Sequence, residues 1–218
     1  MGKARRNKKP QPKQQRLWAG EFLLVFLSAD AFRACSRPFR QKVAGLSIDA
    51  AIAKAIKDFG GLVASATTLA LSVELYLKAL RMVMGLAPIR THALGELYAD
   101  LPQDLRQSVE AAYEATPKPP PAGEAIALDL SITRKDGPEE VRPPKTVKPD
   151  QSLAAVLQRS SALFETWRYL YEAGELGKVS PRYEFHYLGV AADVLHAHAG
   201  QVAQGIRGTR GTGESTTS

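Results

Sequence analysis

Arg182 and His186, four positions apart in Arg-Tyr-Glu-Phe-His, are the residue types that phosphodiester chemistry uses. On a helix, positions i and i+4 share a face, so the guanidinium could clamp a phosphate while the imidazole gives or takes a proton. The same residues also read as plain scaffold, with Arg182 exposed in a first turn and His186 packed against Tyr183 and Tyr187. A second polar set is spread along the chain: Glu74 and Lys78 in favourable i,i+4 order, His92 after the next turn, and Arg168 with Glu172 four residues on. Arg168 lies between Trp167 and Tyr171, and a helix that buries those rings cannot bury a guanidinium without an acid. Glu172 or Glu74 is therefore its expected partner in a structural ion pair.

Other chemistries find no support. His196 and His198 are two residues apart, so a helix points them in different directions and they do not make a metal pair. The single Cys35 can form neither an intrachain disulfide nor a thiolate zinc site. Within a helical run it reads as a small buried hydrophobe, and the lack of disulfides favours a reducing, cytoplasmic setting. No glycine-rich phosphate loop or serine nucleophile elbow is present, and no cofactor is expected.

Charge is unevenly placed. Of the 29 Lys and Arg, seven (Lys3, Arg5, Arg6, Lys8, Lys9, Lys13 and Arg16) fall in residues 1–16, which hold no acid, so the rest balances its 22 acids and the arm carries the whole net charge of +7. Such an arm attracts nucleic acid by releasing counterions, without sequence preference, or serves as a solubilising disordered terminus. The apolar stretch after it resembles a secretory signal in order, but Glu21 interrupts it, Asp30 sits near the supposed cleavage site, and the helical period continues through Phe32. The longest uncharged run, Phe59 to Val73, is shorter than a bilayer-spanning helix requires, so no membrane segment is expected.

The elements that would hold these residues are helices. Trp18, Phe22, Val25, Phe26, Ala29 and Phe32 follow a 3.6-residue period, predicting a helix from Gln14 to Phe39 ended by Pro38. A second pattern runs from Ser47 through Ile52, Ile56 and Phe59, with Gly60-Gly61 as a kink or short break. Leu69, Val73, Tyr76, Leu77, Leu80, Val83 and Met84 mark the face of a core helix stopped by Gly85 and Pro88. Thr91 is the expected hydroxyl cap of a helix reaching Ala115, broken at Pro102. Eight of the 14 prolines then lie between Pro117 and Pro149, marking an insertion over 117–150. The alternation of Ile126, Leu128, Leu130 and Ile132 there allows a short β-hairpin or an irregular loop. Further helices are expected over Ser152–Ala173 and from Ser180-Pro181 to about Ala203. The fold expected is all-α, an antiparallel up-and-down bundle of about five helices forming one domain over 17–205, with a Gly/Ser/Thr tail over 206–218.

Three blocks, in order, resemble a known family: Glu74–Gly85 (ELYLKALRMVMG), Thr91–Leu101 (THALGELYADL) and Ser160–Glu172 (SSALFETWRYLYE). Together they cover about a quarter of the chain and look like the HEPN domains (higher eukaryotes and prokaryotes nucleotide-binding). The resemblance implies a helical bundle that forms a homodimer, expected through its late helices, where the aromatic density at Trp167, Tyr169, Tyr171, Tyr183, Phe185 and Tyr187 is more than one core absorbs. It implies a polar pocket of Glu74, Lys78, His92 and Arg168 for a nucleotide or RNA phosphate, and a nucleotidyltransferase as a further partner. Catalytic members are metal-independent ribonucleases with Arg, four to six residues, then His. Here Arg182 and His186 are separated by three residues, and Glu172 stands where a His might follow Arg168. The expectation is a non-catalytic module that binds RNA, nucleotide or a protein partner. A ribonuclease using Arg182 and His186, or a purely structural partner protein, is the alternative.

Overall fold

A computed structural model of the chain describes residues 12–43, 57–118, 150–161, 163–164 and 185–211. Among the described residues the fold is all-α, with six helices: α1 (Pro12–Val43), α2 (Phe59–Val83), α3 (Leu94–Ala99), α4 (Gln103–Ala115), α5 (Leu153–Arg159) and α6 (Phe185–Gly211). The second helical pattern before Asp58 and the proline-rich insertion with its hairpin lie outside the described residues, as does the segment from Glu165 to Glu184. Helix α1 takes in Lys13 and Arg16 of the basic arm, and α6 extends past Ala203 into the Gly/Thr region.

The three long helices make the core. Contacts between α1 and α2 pair Lys42 with Asp58, Ser36 with Ser65, and Asp30 with Tyr76, so the two helices run antiparallel. Those between α1 and α6 pair Arg40 with Gly189, Arg33 with Asp193, and Asp30 with His196, again antiparallel. Phe22, Phe26, Ala29 and Phe39 of α1 are buried against Leu69, Val73, Tyr76, Leu77 and Leu80 of α2 and Leu188, Ala191, Leu195 and Ala199 of α6. The small residues Ala66, Ser65, Ala70 and Ser72 let α2 approach its neighbours closely, and Ser72 returns its hydroxyl to the Leu69 carbonyl, so burial leaves that group bonded. By length and composition Gly60–Val83 would suffice to cross a membrane, yet 56% of its most apolar window is buried inside the fold, the mark of a core helix.

Several local expectations need correction. Pro38 lies inside α1, which continues to Val43. A proline within a helix costs roughly 3 kcal/mol, and packing beyond it, where Phe39 is buried, holds the helix together. Cys35 is exposed, because the core face of α1 passes through Ser36 and Phe39 and leaves Cys35 on the far side. The expected short break falls at Asp58, just ahead of Gly60-Gly61, which themselves lie in the first turn of α2. Asp58 caps α2, its carboxylate accepting from the Gly61 amide at 3.2 Å, and a Cβ on Gly61 would run into that carboxylate. Val83 and Met84 leave the core as α2 ends. Gly85 adopts φ 70, with Gly85 N–H donating to Met82 and Leu86 N–H to Arg81, the paired bonds of a glycine-terminated helix.

Three short helices close one side. Thr91 is not the cap of α3; that position is Ala93, and the Thr91 hydroxyl instead accepts from the Ala93 amide and donates to Glu96. The predicted break at Pro102 separates α3 from α4. Helix α5 starts at Ser152 as expected and is interrupted after Arg159, where Ser160 caps it; Leu163 and Phe164 are helical again, and the rest of the expected stretch to Ala173 lies outside the described residues. It crosses α3 where Gly95 has no side chain: a Cβ there would sit 3.1 Å from the Gln158 Cα.

Candidate functional site

Glu74 is the polar residue the core helix treats most unusually. Its side chain is 3% exposed, deep enough that an unpaired carboxylate would be untenable, and two nitrogen-bearing side chains meet it. Lys78, one turn on, donates to Oε1 at 2.6 Å. His92, from the loop ahead of α3, places Nδ1 3.1 Å from Oε1 and 3.0 Å from Oε2. A carboxylate only accepts, so His92 carries its hydrogen on Nδ1, with the opposite ring edge directed away from Glu74. The imidazole is half-exposed and stacks on Phe164 with ring centres 5.5 Å apart. Three of the residues singled out in the sequence, Glu74, Lys78 and His92, therefore meet. Arg168 and Glu172 lie outside the described residues. Arg81, on the same helix, is also buried rather than on a solvated face, where it pairs with Asp100 and donates to the Ala87 carbonyl.

A second cluster joins the three long helices. Tyr76 donates to Asp30 at 2.5 Å, and His196 brings Nδ1 to 2.7 Å from the same carboxylate oxygen. Arg33 stands 3.9 Å from Asp30 and donates to Asp193 at 2.6 Å, while Arg40 reaches the other Asp193 oxygen at 3.5 Å. Burial and the Asp30 carboxylate both push the Tyr76 phenol far above its ordinary range, so it stays protonated and donating. The His196 ring lies flat on Phe26 and edge-on to Tyr76, which fixes its orientation. Sequence reading missed this network because Tyr76 counted as a core position. The available signal was Asp30, the one acid in the otherwise uncharged run from Phe22 to Phe32.

His186 is half-buried on α6. Burial first, and the nearby Arg40 guanidinium second, depress its pKa, which favours a neutral imidazole near pH 7. Arg40 can lie across α6 because Gly189 has no Cβ to meet it. Arg182 lies outside the described residues, so the Arg182–His186 pair is seen only through its histidine. The arm residues Lys3, Arg5, Arg6, Lys8 and Lys9 also lie outside. Tyr187 of the aromatic group is buried, not displayed.

His196 and His198 part company as their spacing requires: His198 turns to Ser108 of α4, at 3.2 Å. Among the described residues no group of three His, Cys, Asp or Glu is placed to hold a metal ion. No family model, curated protein or solved structure matches this chain. The remaining polar anchors are architectural. Glu110 accepts from Tyr98 and from the Leu153 amide, tying α3, α4 and the start of α5 together.

Proposed function

We propose that the chain is a non-catalytic HEPN-like helical module that works as a homodimer and binds a phosphate-bearing partner, RNA or a nucleotide. One observation carries this reading: Lys78 and His92 are fixed side by side on one buried carboxylate, with His92 half-exposed and stacked on Phe164. The Lys78 ammonium held in place at the surface suits a phosphate oxygen, and the stacked His92–Phe164 pair suits a base above it. Glu74 balances the Lys78 charge, so the site favours modest affinity, and the basic arm would add a salt-sensitive component by counterion release.

The test is fluorescence anisotropy of a labelled single-stranded RNA with the full chain under chelator. Lys78→Gln is expected to weaken binding roughly tenfold, the size of one charge-assisted contact, His92→Ala by a similar factor through the lost stack, and the RNA is expected to stay intact. Unchanged affinity in both variants would remove this site. A second reading, a metal-independent ribonuclease using His186 with Arg182, draws support from the neutral imidazole beside Arg40. RNA cleavage under chelator that disappears in His186→Ala would establish it in place of the first.

A further inference from the structure

We infer that the outward face of α1 is a docking surface for the same helix of a second copy, running antiparallel. The helix has two apolar faces. One, through Phe22, Phe26, Ala29 and Phe39, is buried against α2 and α6. The other carries Leu24, 67% exposed, and Leu27, 51% exposed, followed by the exposed Ala31, Ala34 and Pro38. Positions 24, 27, 31, 34 and 38 alternate steps of three and four, the spacing that keeps a seam facing a partner helix along its length. Core packing on α2 and α6 does not call for that second stripe.

Charge selects the occupant and its direction. When two copies of α1 lie antiparallel about a two-fold axis between Phe32 and Arg33, Leu24 falls opposite Gln41 of the second copy, Leu27 opposite its Pro38, and Ala31 opposite its Ala34. The residues flanking that seam are then Glu21 beside Lys42 of the second copy and Asp30 beside its Arg37, each pair occurring twice. All four pairs are of opposite charge, with Asp30 shared with Tyr76 and His196 and Lys42 shared with Asp58 of its own chain. Glu21, Arg37 and Lys42 are exposed, and Asp30 keeps about a third of its side chain open. A parallel pairing would instead set Arg37 against Lys42 of the other copy, a repulsion on both sides that offsets its one attraction, Arg16 beside Glu21. The central layer is alanine from both copies, which lets the backbones approach closely.

The inference rests on the dimer in the proposed function and names the surface that makes it; RNA affinity is read separately. Full-length chain at tens of micromolar, measured by size exclusion with light scattering, is expected at twice its 23.6 kDa mass. The double variant Leu24→Glu with Leu27→Glu, both on the open face, is expected at single mass with unchanged circular dichroism. The register has its own readout, since it brings Ser28 close to Cys35 of the second copy. Within one helix positions 28 and 35 are about 10.5 Å apart, beyond the roughly 7 Å that a disulfide spans, so oxidised Ser28→Cys is expected to give a covalent dimer that Cys35→Ser abolishes. A wild-type monomer overturns both this surface and the dimeric reading. A double variant that stays dimeric overturns this surface alone and moves the dimer contact elsewhere, and a dimer without the 28–35 link overturns the antiparallel register.

Discussion

Tyr76 donates its phenolic hydrogen to Asp30 at 2.5 Å, binding the middle of the core helix α2 to the middle of α1. The same carboxylate holds His196 of α6, so one acid joins all three long helices. Removing the donor strands part of that acceptor. Tyr76→Phe is expected to destabilise the fold by about 1–2 kcal/mol, the loss of a hydrogen bond to a charged group with the ring retained, read as a lower urea midpoint. Asp30 keeps His196, which limits the loss.

The same phenol predicts an alkaline limb. Its folded pKa is raised above the ordinary value, so the folded state retains a proton that the unfolded chain releases above about pH 10. Its stabilising contribution is full below that pH and falls as pH rises further. Tyr98, raised by burial and its bond to Glu110, adds to the same limb. Urea midpoints between pH 9 and 11, roughly bracketing the tyrosine range, should drop in the wild type and drop less in Tyr76→Phe. Equal slopes would show the phenol to be uncoupled from folding.

His186 titrates in the opposite sense. Its folded pKa is depressed, so the folded state resists the proton that the unfolded chain takes up, and stability present above about pH 6.5 declines as pH falls through that value. His186→Gln should flatten this limb. Arg40→Gln should flatten it less, because burial outweighs the guanidinium as the cause. An acid limb that is identical in all three proteins would assign it to other groups.

Glu74 makes Lys78 and His92 interdependent. Lys78→Ala leaves the buried carboxylate with His92 alone and is expected to cost roughly 1–3 kcal/mol; His92→Ala should cost less, since its ring is half-exposed. The double substitution should destabilise by more than the sum, because only then is the carboxylate without either partner. Thermal melts of the four proteins give the coupling directly, and strict additivity would mean that the two partners act independently.

At the start of α2, Asp58 both caps the helix and accepts from Lys42 at 2.8 Å. Asp58→Ala should cost about 1–2 kcal/mol. Gly61→Ala, normally favourable in a helix, should destabilise here because its methyl displaces the capping carboxylate. A more stable Gly61→Ala protein would show that the cap can shift without loss.

What could be read from the sequence is what depends on period and local chemistry. The apolar spacing of Phe22, Phe26 and Ala29, and of Leu69 through Leu80, marks helix faces that are indeed buried. Gly85 had to stop a helix because the left-handed backbone there excludes a Cβ, and Ser152 had to start one because its hydroxyl serves a free amide. The i,i+4 pairing of Glu74 with Lys78 is equally local.

Tertiary structure decided the rest, for reasons no local pattern contains. Pro38 reads as a stop, yet packing on both sides of it carries α1 onward to Val43. Cys35 and Ser36 are neighbours of similar size, and only the position of α2, where Ser65 donates to the Ser36 carbonyl, sends the serine inward and leaves the thiol exposed. Period alone cannot tell an apolar face that meets a partner from one that does not, so Val83 and Met84 extend the stripe of α2 and still face solvent. Asp30, Tyr76 and His196 are separated by up to 166 positions, and their meeting is set by the antiparallel course of α1 against both α2 and α6. A side chain's neighbours across helices follow from how whole helices pack, which is a property of all their faces together.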